Sequence, residues 1–333
     1  MSPKRAPATA VTFNSYGGVE VLDIVEIEKP VAGPGEVVVE VLAAGINHVE
    51  AYVRQGLFDD KVSVAFPQRQ GSDFSGLVTS IGPGVTSFAR GSAVLGHANM
   101  TSHATFIVVP QSHLVAKPAS LSWEVAGSLF LAGLAANDAV QAVNVGPGDT
   151  VVVSAAAGGV GSMEAHLAMH KGATVIGTCG ERNFDYLRQI GVKPVVYGDG
   201  LADRIRALAP RGVGAYIDNF GRDNPDVAED LGVSSSRFRS SDHRRDIELA
   251  AMHPTPEQAE NHTRVLAGLA GLAADRTINV LISGFYPFTR VRDAFEDLEQ
   301  RHARGKIVLG MRPVDNSFHG LGARKVRDEH ERS

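Results

Sequence analysis

Cysteine is almost missing from this chain. Cys179 is the only one in 333 residues, so neither a disulfide framework nor a cysteine-built zinc cluster can be assembled within it. Positive charge is not in excess either, since 32 Lys and Arg face 37 Asp and Glu, a formal charge of −5. Without a broad basic field, nucleic acid is not an expected partner. Long apolar runs are lacking as well. The longest, 125–136, is broken by Gly and Ser and is too short to cross a bilayer. The N-terminal stretch has Lys4 and Arg5 but not the apolar centre of a signal peptide. The cytoplasm, with no membrane partner, is therefore the expected setting.

What is present is enough chain for two cores. Hydrophobic residues make up 44% and charged ones 21%, the proportions of a globular protein. From Val11 to about Pro118 the signals are short apolar runs, such as 37–42, 77–81, 93–95 and 105–109, punctuated by Gly33-Pro34-Gly35, Gly82-Pro83-Gly84 and Arg90-Gly91. That spacing predicts a β-barrel-like domain. After Ser122 helical and strand patterns alternate. Helix is expected over 182–190, 202–209, 256–274 and 291–301, and strand at 195–197, 215–218, 280–283 and 307–309. The polar run 234–245 reads as a loop, and the charged, aliphatic-poor end of the chain as a mobile tail. Strands alternating with helices predict a doubly wound parallel sheet, so the fold class is α/β.

The stretch 149–178 carries the clearest chemistry. Val151-Val152-Val153 suits a strand buried on both faces, and Ala155-Ala156-Ala157 then leads into Gly158-Gly159-Val160-Gly161. Helix-compatible sequence runs to His170, and Thr174-Val175-Ile176 begins a second strand. In that setting glycine has a physical task. It lets the main chain approach a diphosphate and the helix approach the strand, while the free N–H groups of the helix end face the anion. The pattern Ala156-x-Gly158-x-x-Gly161 is a dinucleotide fingerprint with Ala in place of the first Gly, in the strand–turn–helix context expected of one, the alternative being a tight βα turn with no ligand. An NAD site places an acid near the tip of the second strand. Here the tip reads Gly177-Thr178-Cys179-Gly180, and Glu181 is followed at once by Arg182. Small residues and a guanidinium suit a 2′-phosphate and favour NADPH. Arg182 reads equally well as a surface charge.

Several segments together point to a family. They are Gly45-Ile46-Asn47, Glu50-Ala51-Tyr52-Val53-Arg54-Gln55-Gly56, Gly71-Ser72-Asp73-Phe74-Ser75-Gly76, the glycine turn, Asp218-Asn219-Phe220-Gly221 and Arg304-Gly305-Lys306-Ile307-Val308-Leu309. In this order they resemble the medium-chain dehydrogenase/reductase superfamily, and within it the zinc-free quinone oxidoreductase branch related to zeta-crystallin. The resemblance covers about Val11 to Arg312. It implies a GroES-like β-barrel catalytic domain over 1–126, completed by 275–313, and a Rossmann NADPH-binding domain over 127–274, with the tail over 314–333. It also implies a cofactor in the cleft between the domains, and a homodimer. Zinc-dependent relatives carry Cys where this chain has Asn47 or His48, and Gly-His-Glu where it has Gly71-Ser72-Asp73, so no metal is expected.

The resemblance assigns roles residue by residue. Asn47 would border the nicotinamide and stabilise an oxyanion, or else be a turn-forming Asn. Tyr52 would position a substrate carbonyl or donate a proton, or else pack. Glu50 would orient its neighbours, with Arg54 as its ion-pair partner. His48, and His97 and His103 on a loop, would lie at the substrate cleft, although a solvated loop histidine is the plainer reading of the last two. His166 and His170 read as solvent-facing. Ala157, Gly158, Gly159, Val160 and Gly161 would hold the diphosphate, while Thr178, Arg182 and Tyr197 would surround the adenosine ribose. Asn219 and Phe220 would lie beside the cofactor at the end of the next strand. Lys306 matches a family lysine near the cleft. An NADPH-dependent reductase of quinones or other conjugated carbonyls is the expected activity. An enoyl reductase acting on an α,β-unsaturated thioester, and a cofactor-binding protein without turnover, are the alternatives.

Overall fold

The computed structural model describes residues 7–62, 64–221, 224–301 and 303–312. The tail expected over 314–333 lies outside the described residues. In chain order the strands are β1 (Ala8–Phe13), β2 (Leu22–Ile27), β3 (Glu36–Gly45), β4 (Gln68–Arg69), β5 (Asp73–Ile81), β6 (Ala93–His97), β7 (Phe106–Pro110), β8 (Leu114–Ala116), β9 (Thr150–Val153), β10 (Thr174–Cys179), β11 (Lys193–Val196), β12 (Ala215–Ile217), β13 (Phe238–Arg239), β14 (Ile282–Pro287) and β15 (Lys306–Gly310). The helices are α1 (His48–Arg54), α2 (Trp123–Ala126), α3 (Phe130–Ala142), α4 (Gly159–His170), α5 (Phe184–Gln189), α6 (Leu201–Leu208), α7 (Asn224–Asp230), α8 (Ser241–Met252), α9 (Pro256–Ala274) and α10 (Val291–Glu299).

Two compact units result. The first contains Met1–Leu131, Ala251–Ala270 and Ile282–Ser333. Its larger sheet runs β14-β15-β3-β5-β6-β8, with β7 also paired to β3, and a smaller one runs β2-β1-β4. All of these pairings are antiparallel except β14 with β15. Val37, Val39 and Val41 alternate inward along β3 and meet Phe74, Ile107 and Phe295 in one continuous core. Val38 between them is 1% exposed as well, so β3 is covered on both faces over most of its length. The second unit, Ala132–Ala250 and Gly271–Leu281, holds the parallel sheet β11-β10-β9-β12-β13. Val151, Val152 and Val153 are each 0% exposed at its centre, as a strand flanked on both sides demands.

The polar run 234–245 is not one loop. Phe238–Arg239 forms β13, parallel to β12, and Ser241 opens α8. Phe238 packs with Tyr216 at 6.0 Å between ring centroids, and one aromatic contact plus two ladder positions is a strand signal too short for composition to show. The expected strand at 280–283 begins instead at Ile282 and continues to Pro287.

Helix α9 has the bounds expected of it, but Ala251–Ala270 packs with the first unit rather than with the nucleotide domain. A histidine cluster explains this. His97 on β6 stacks on Phe130 at 4.6 Å and on His113 at 4.3 Å, and meets His262 of α9 edge-on. Thr263 donates its hydroxyl to Ser112 O at 2.7 Å, so the 2.9 Å bond to His97 Nε2 places the imidazole proton on Nε2. Burial, and then the neighbouring histidines, push the His97 pKa down to about 3, and burial also lowers those of His113 and His262. A histidine held neutral in the fold gives stability that is complete above its unfolded pKa of about 6.5 and is lost as pH falls towards the folded value. Unfolding free energies from urea titration are therefore expected to drop from pH 6.5 to 4.5, by up to about 1.4 kcal/mol per pH unit for each such histidine. The variant His97→Phe should flatten that slope, and an unchanged slope would show the cluster to be without effect.

Candidate active site and cofactor site

In the second unit β9 ends at Val153 and α4 begins at Gly159, with Gly158 as its N-cap. Between them Ala155 adopts φ +49, and the turn is pinned by Thr178. The Thr178 hydroxyl accepts from Ala155 N at 3.1 Å and its carbonyl accepts from Ala156 N at 3.0 Å. Thr178 is 3% exposed, so its hydroxyl supports the turn from below. A Cβ on Gly161 would stand 2.5 Å from Ala155 O, so only glycine fits there. No side chain caps the start of α4. Its first N–H groups and the positive end of its dipole are left for an anion. A dinucleotide diphosphate fits this turn.

At the tip of the neighbouring strand Arg182 is exposed in a single 3-10 turn, and Tyr197, 57% exposed, stacks on Phe220 at 6.2 Å with ring planes 19° apart. After β12, Asp218 accepts from Phe220 N at 2.8 Å and Gly221 N at 3.1 Å, and Ser154 accepts from Asn219 N at 2.7 Å. Residues 218–221 are thereby fixed at the carboxyl edge of the sheet, where open α/β sheets bind ligands. Glu164, absent from the residues singled out in the sequence, accepts from Asn219 Nδ2 at 2.5 Å. The signal was there, because Glu164 lies on the helical stripe of Leu167 and Ala168, where a charge is out of place. Burial raises its pKa to about 8. His166 is also buried, with Nδ1 bonded to Ser162 O at 2.7 Å, so only His170 of that pair faces solvent.

The first unit contains a buried polar network at the start of α1. Asn47 is the N-cap, and Glu50 accepts from Asn47 N at 2.9 Å and Ser72 N at 3.0 Å. Asn47 Nδ2 reaches Glu50 at 3.4 Å and Asp73 at 3.3 Å, while its Oδ1 accepts from Lys306 Nζ at 2.5 Å. Lys306 also donates to Ile46 O at 3.2 Å and lies 3.8 Å from Asp73. Asp73 accepts in addition from Leu131 N at 2.9 Å. Burial, and then the Asp73 charge, lift the Glu50 pKa to about 8; burial also raises that of Asp73, with Lys306 opposing. His103 donates through Nε2 to Gly45 O at 3.1 Å, and burial holds its pKa at about 4.

Three expectations are corrected here. Arg54 does not pair with Glu50, since its guanidinium binds Glu299 of α10 and Gly17 O. Four residues apart, the two share one side of α1, but the Asn47 and Ser72 N–H groups hold the Glu50 carboxyl and Glu299 holds the Arg54 guanidinium. His97 and His103 are not solvated loop residues. Both are 0% exposed, one at the end of a strand and one beneath Gly71. A Cβ on Gly71 would fall 2.5 Å from His103 N, and Gly71 has φ +97, so the backbone there is shaped around the histidine. Tyr52, by contrast, is partly exposed. Its ring lies 6.2 Å from His48 and 6.1 Å from Phe58, and its hydroxyl accepts from Arg301 at 3.0 Å. Among the described residues no group of three or more His, Cys, Asp or Glu stands where it could hold a metal ion. No helix among them is long and apolar enough to cross a membrane.

Residues 33–119 match the family model of the alcohol dehydrogenase GroES-like domain, and residues 191–309 that of the zinc-binding dehydrogenase. The chain belongs to the medium-chain dehydrogenase/reductase superfamily. It is 26% identical over 327 residues to quinone oxidoreductase 1 of Escherichia coli K12, covering 91% of this chain and 99% of that one. It is 30% identical over 296 residues, 84% of its length, to the polyketide synthase GfsB of Streptomyces halstedii. It spans 5% of that synthase, and 8% of the pikromycin synthase component PikAII of Streptomyces venezuelae. The quinone oxidoreductase structure from Coxiella burnetii superposes with a TM-score of 0.79 at 27% identity, over 92% of this chain and all of that one. The Escherichia coli quinone oxidoreductase complexed with NADPH gives 0.75 at 25%, over 91% and 99%. The protein is thus an oxidoreductase with a GroES-like unit, a Rossmann-like unit and a nicotinamide cofactor.

Proposed function

We propose that the protein is an NADPH-dependent reductase of quinones or other conjugated carbonyls that works without zinc. The glycine turn with its uncapped helix end carries the reading, and the likeness to quinone oxidoreductases over nine-tenths of both chains supports it. The bound nicotinamide supplies a hydride, and with one proton from solvent or protein this converts a quinone to a hydroquinone. The chain's own work is to bind, orient and neutralise. Gly158, Gly159, Val160 and Gly161 receive the diphosphate, with Ala157 shaping the turn. Arg182 and Tyr197 frame the 2′-phosphate end, while Asn219 and Phe220 border the other half. Tyr52 accepts from Arg301, so its own hydroxyl hydrogen is left to donate to a substrate oxygen. Asn47 is held by Lys306 and the two carboxyls as the fixed wall behind it. His48 sits alongside Tyr52, and His97 and His103 act as buried supports. A homodimer acting in the cytoplasm is part of the same reading.

If Arg182 meets a 2′-phosphate, Arg182→Ala should weaken NADPH binding about five- to tenfold, as loss of one charge-assisted contact does, and leave NADH unaffected. Equal effects on the two nucleotides would remove Arg182 from the site. The likeness to a segment of two polyketide synthases favours an enoyl reductase as the second reading. Offering 1,4-benzoquinone, an enone and an enoyl thioester, and following loss of reduced nicotinamide absorbance, separates the two. Turnover of the quinone well above the thioester supports the first, and the reverse order supports the second.

A further inference from the structure

Of the 7 residues of α1, 5 are buried, and the two that are not, His48 and Tyr52, stand one turn apart on a single stripe. Their rings lie 6.2 Å apart with planes 23° from parallel, and Phe58 meets the Tyr52 ring edge-on at 6.1 Å. Together the three rings make a shelf that suits a flat conjugated ring. A cation stands at its edge. Arg301, exposed just beyond the end of α10, donates through Nη2 to the Tyr52 hydroxyl at 3.0 Å. Its backbone closes the helix in the left-handed region, with φ +55. The charge is not neutralised. Glu299, two residues before it, is taken by Arg54 and Gln55. Among the described residues no carboxylate forms an ion pair with Arg301, Asp59 and Asp60 on the loop after Phe58 included.

A guanidinium carries several N–H donors in a rigid planar fork, and Tyr52 engages one nitrogen of it. The remaining edge of the fork matches the paired oxygens of a carboxylate. A neutral ring would use the shelf and the Tyr52 hydroxyl alone and leave that edge to water. A cationic ring would be repelled, and an anion on a flexible aliphatic chain would gain nothing from the shelf. Shelf and fork together select a flat ring that carries a negative charge. We propose that Arg301 is a specificity-determining residue, and that the acceptor is a conjugated ring bearing an ionised acid group, such as a carboxylate, beside the carbonyl that Tyr52 receives. This rests on the reductase reading above and deepens it, because it names the substrate class.

The test is calorimetric titration of the intact chain, with NADPH present, by 2-naphthoate and by its neutral isostere 2-naphthamide. Neither probe is a quinone, so the result does not depend on turnover. In the unaltered protein the naphthoate should bind about fivefold more tightly, the upper end of what an exposed charge pair contributes. Arg301 is exposed, so its replacement spares the core. Arg301→Gln should bring the ratio to about one, while Arg301→Lys, which keeps the charge and loses the fork, should retain about half of it. Equal binding of the two probes by the unaltered protein, a ratio that survives Arg301→Gln, or binding of neither probe overturns the assignment. The same preparations are then offered 1,4-benzoquinone. An Arg301-dependent preference in a chain that reduces no quinone keeps the anion subsite and removes the reductase reading. Quinone turnover together with equal binding of the probes does the reverse.

Discussion

Lys306→Met is expected to destabilise the first unit by about 3–5 kcal/mol, the cost of removing one partner from a buried ion pair. Methionine fills a similar volume, so packing is nearly preserved. The loss is electrostatic. Lys306 is 5% exposed and its ammonium meets Asn47 Oδ1, Ile46 O and, at 3.8 Å, the Asp73 carboxylate. Without it, Asp73 and Glu50 are two fully buried carboxyls with only hydrogen-bond donors to hold charge. A carboxyl whose folded pKa is raised gives stability that is complete below its unfolded value and is lost as pH rises. Burial already raises that of Asp73, and losing Lys306 removes what opposes the rise. The deficit of the variant against the unaltered protein should therefore grow from pH 5 to pH 8. Urea unfolding followed by circular dichroism at both values measures it. A deficit under about 1 kcal/mol, or one independent of pH, would contradict the role given to Lys306.

Gly161→Val should have the largest effect on ligand binding. A Cβ at this position falls 2.5 Å from Ala155 O and 3.0 Å from Ala155 C and Ala156 Cα, all main-chain atoms that cannot swing aside. The helix must lift from the strand, and its first N–H groups then no longer converge on one anion. NADPH affinity should fall at least about tenfold, with about 1–3 kcal/mol of stability lost to overpacking. Gly158→Ala is the graded control, since its Cβ would meet only Ala155 O, at 3.2 Å. Calorimetric titration of the two variants should rank them in that order. Equal affinities would mean that the diphosphate does not sit on this turn.

Local pattern made the main architecture readable in advance. The run Val151-Val152-Val153, the glycine turn and the β-branched strand after it announce a βαβ unit, and α9 has the bounds its periodicity predicts. Residues whose place depends on distant partners were not readable. Glu50 and Arg54 are one turn apart and of opposite charge, yet Ser72 and Asn47 claim the first and Glu299 the second. Nothing in the spacing of His97, His113 and His262 shows that three elements bring them into one cluster. In β13 two residues take their strand conformation from β12, across more than twenty positions. Asp73 and Lys306 were visible as motif members, but that they share one buried site with Asn47 follows from the antiparallel pairing of β15 with β3.

The most direct measurement is calorimetric titration of the intact chain with NADPH and, separately, with NADH. The glycine turn, the uncapped end of α4 and the guanidinium of Arg182 predict one NADPH bound per chain, with NADH at least about tenfold weaker. Absence of binding by either nucleotide would contradict the account at its base.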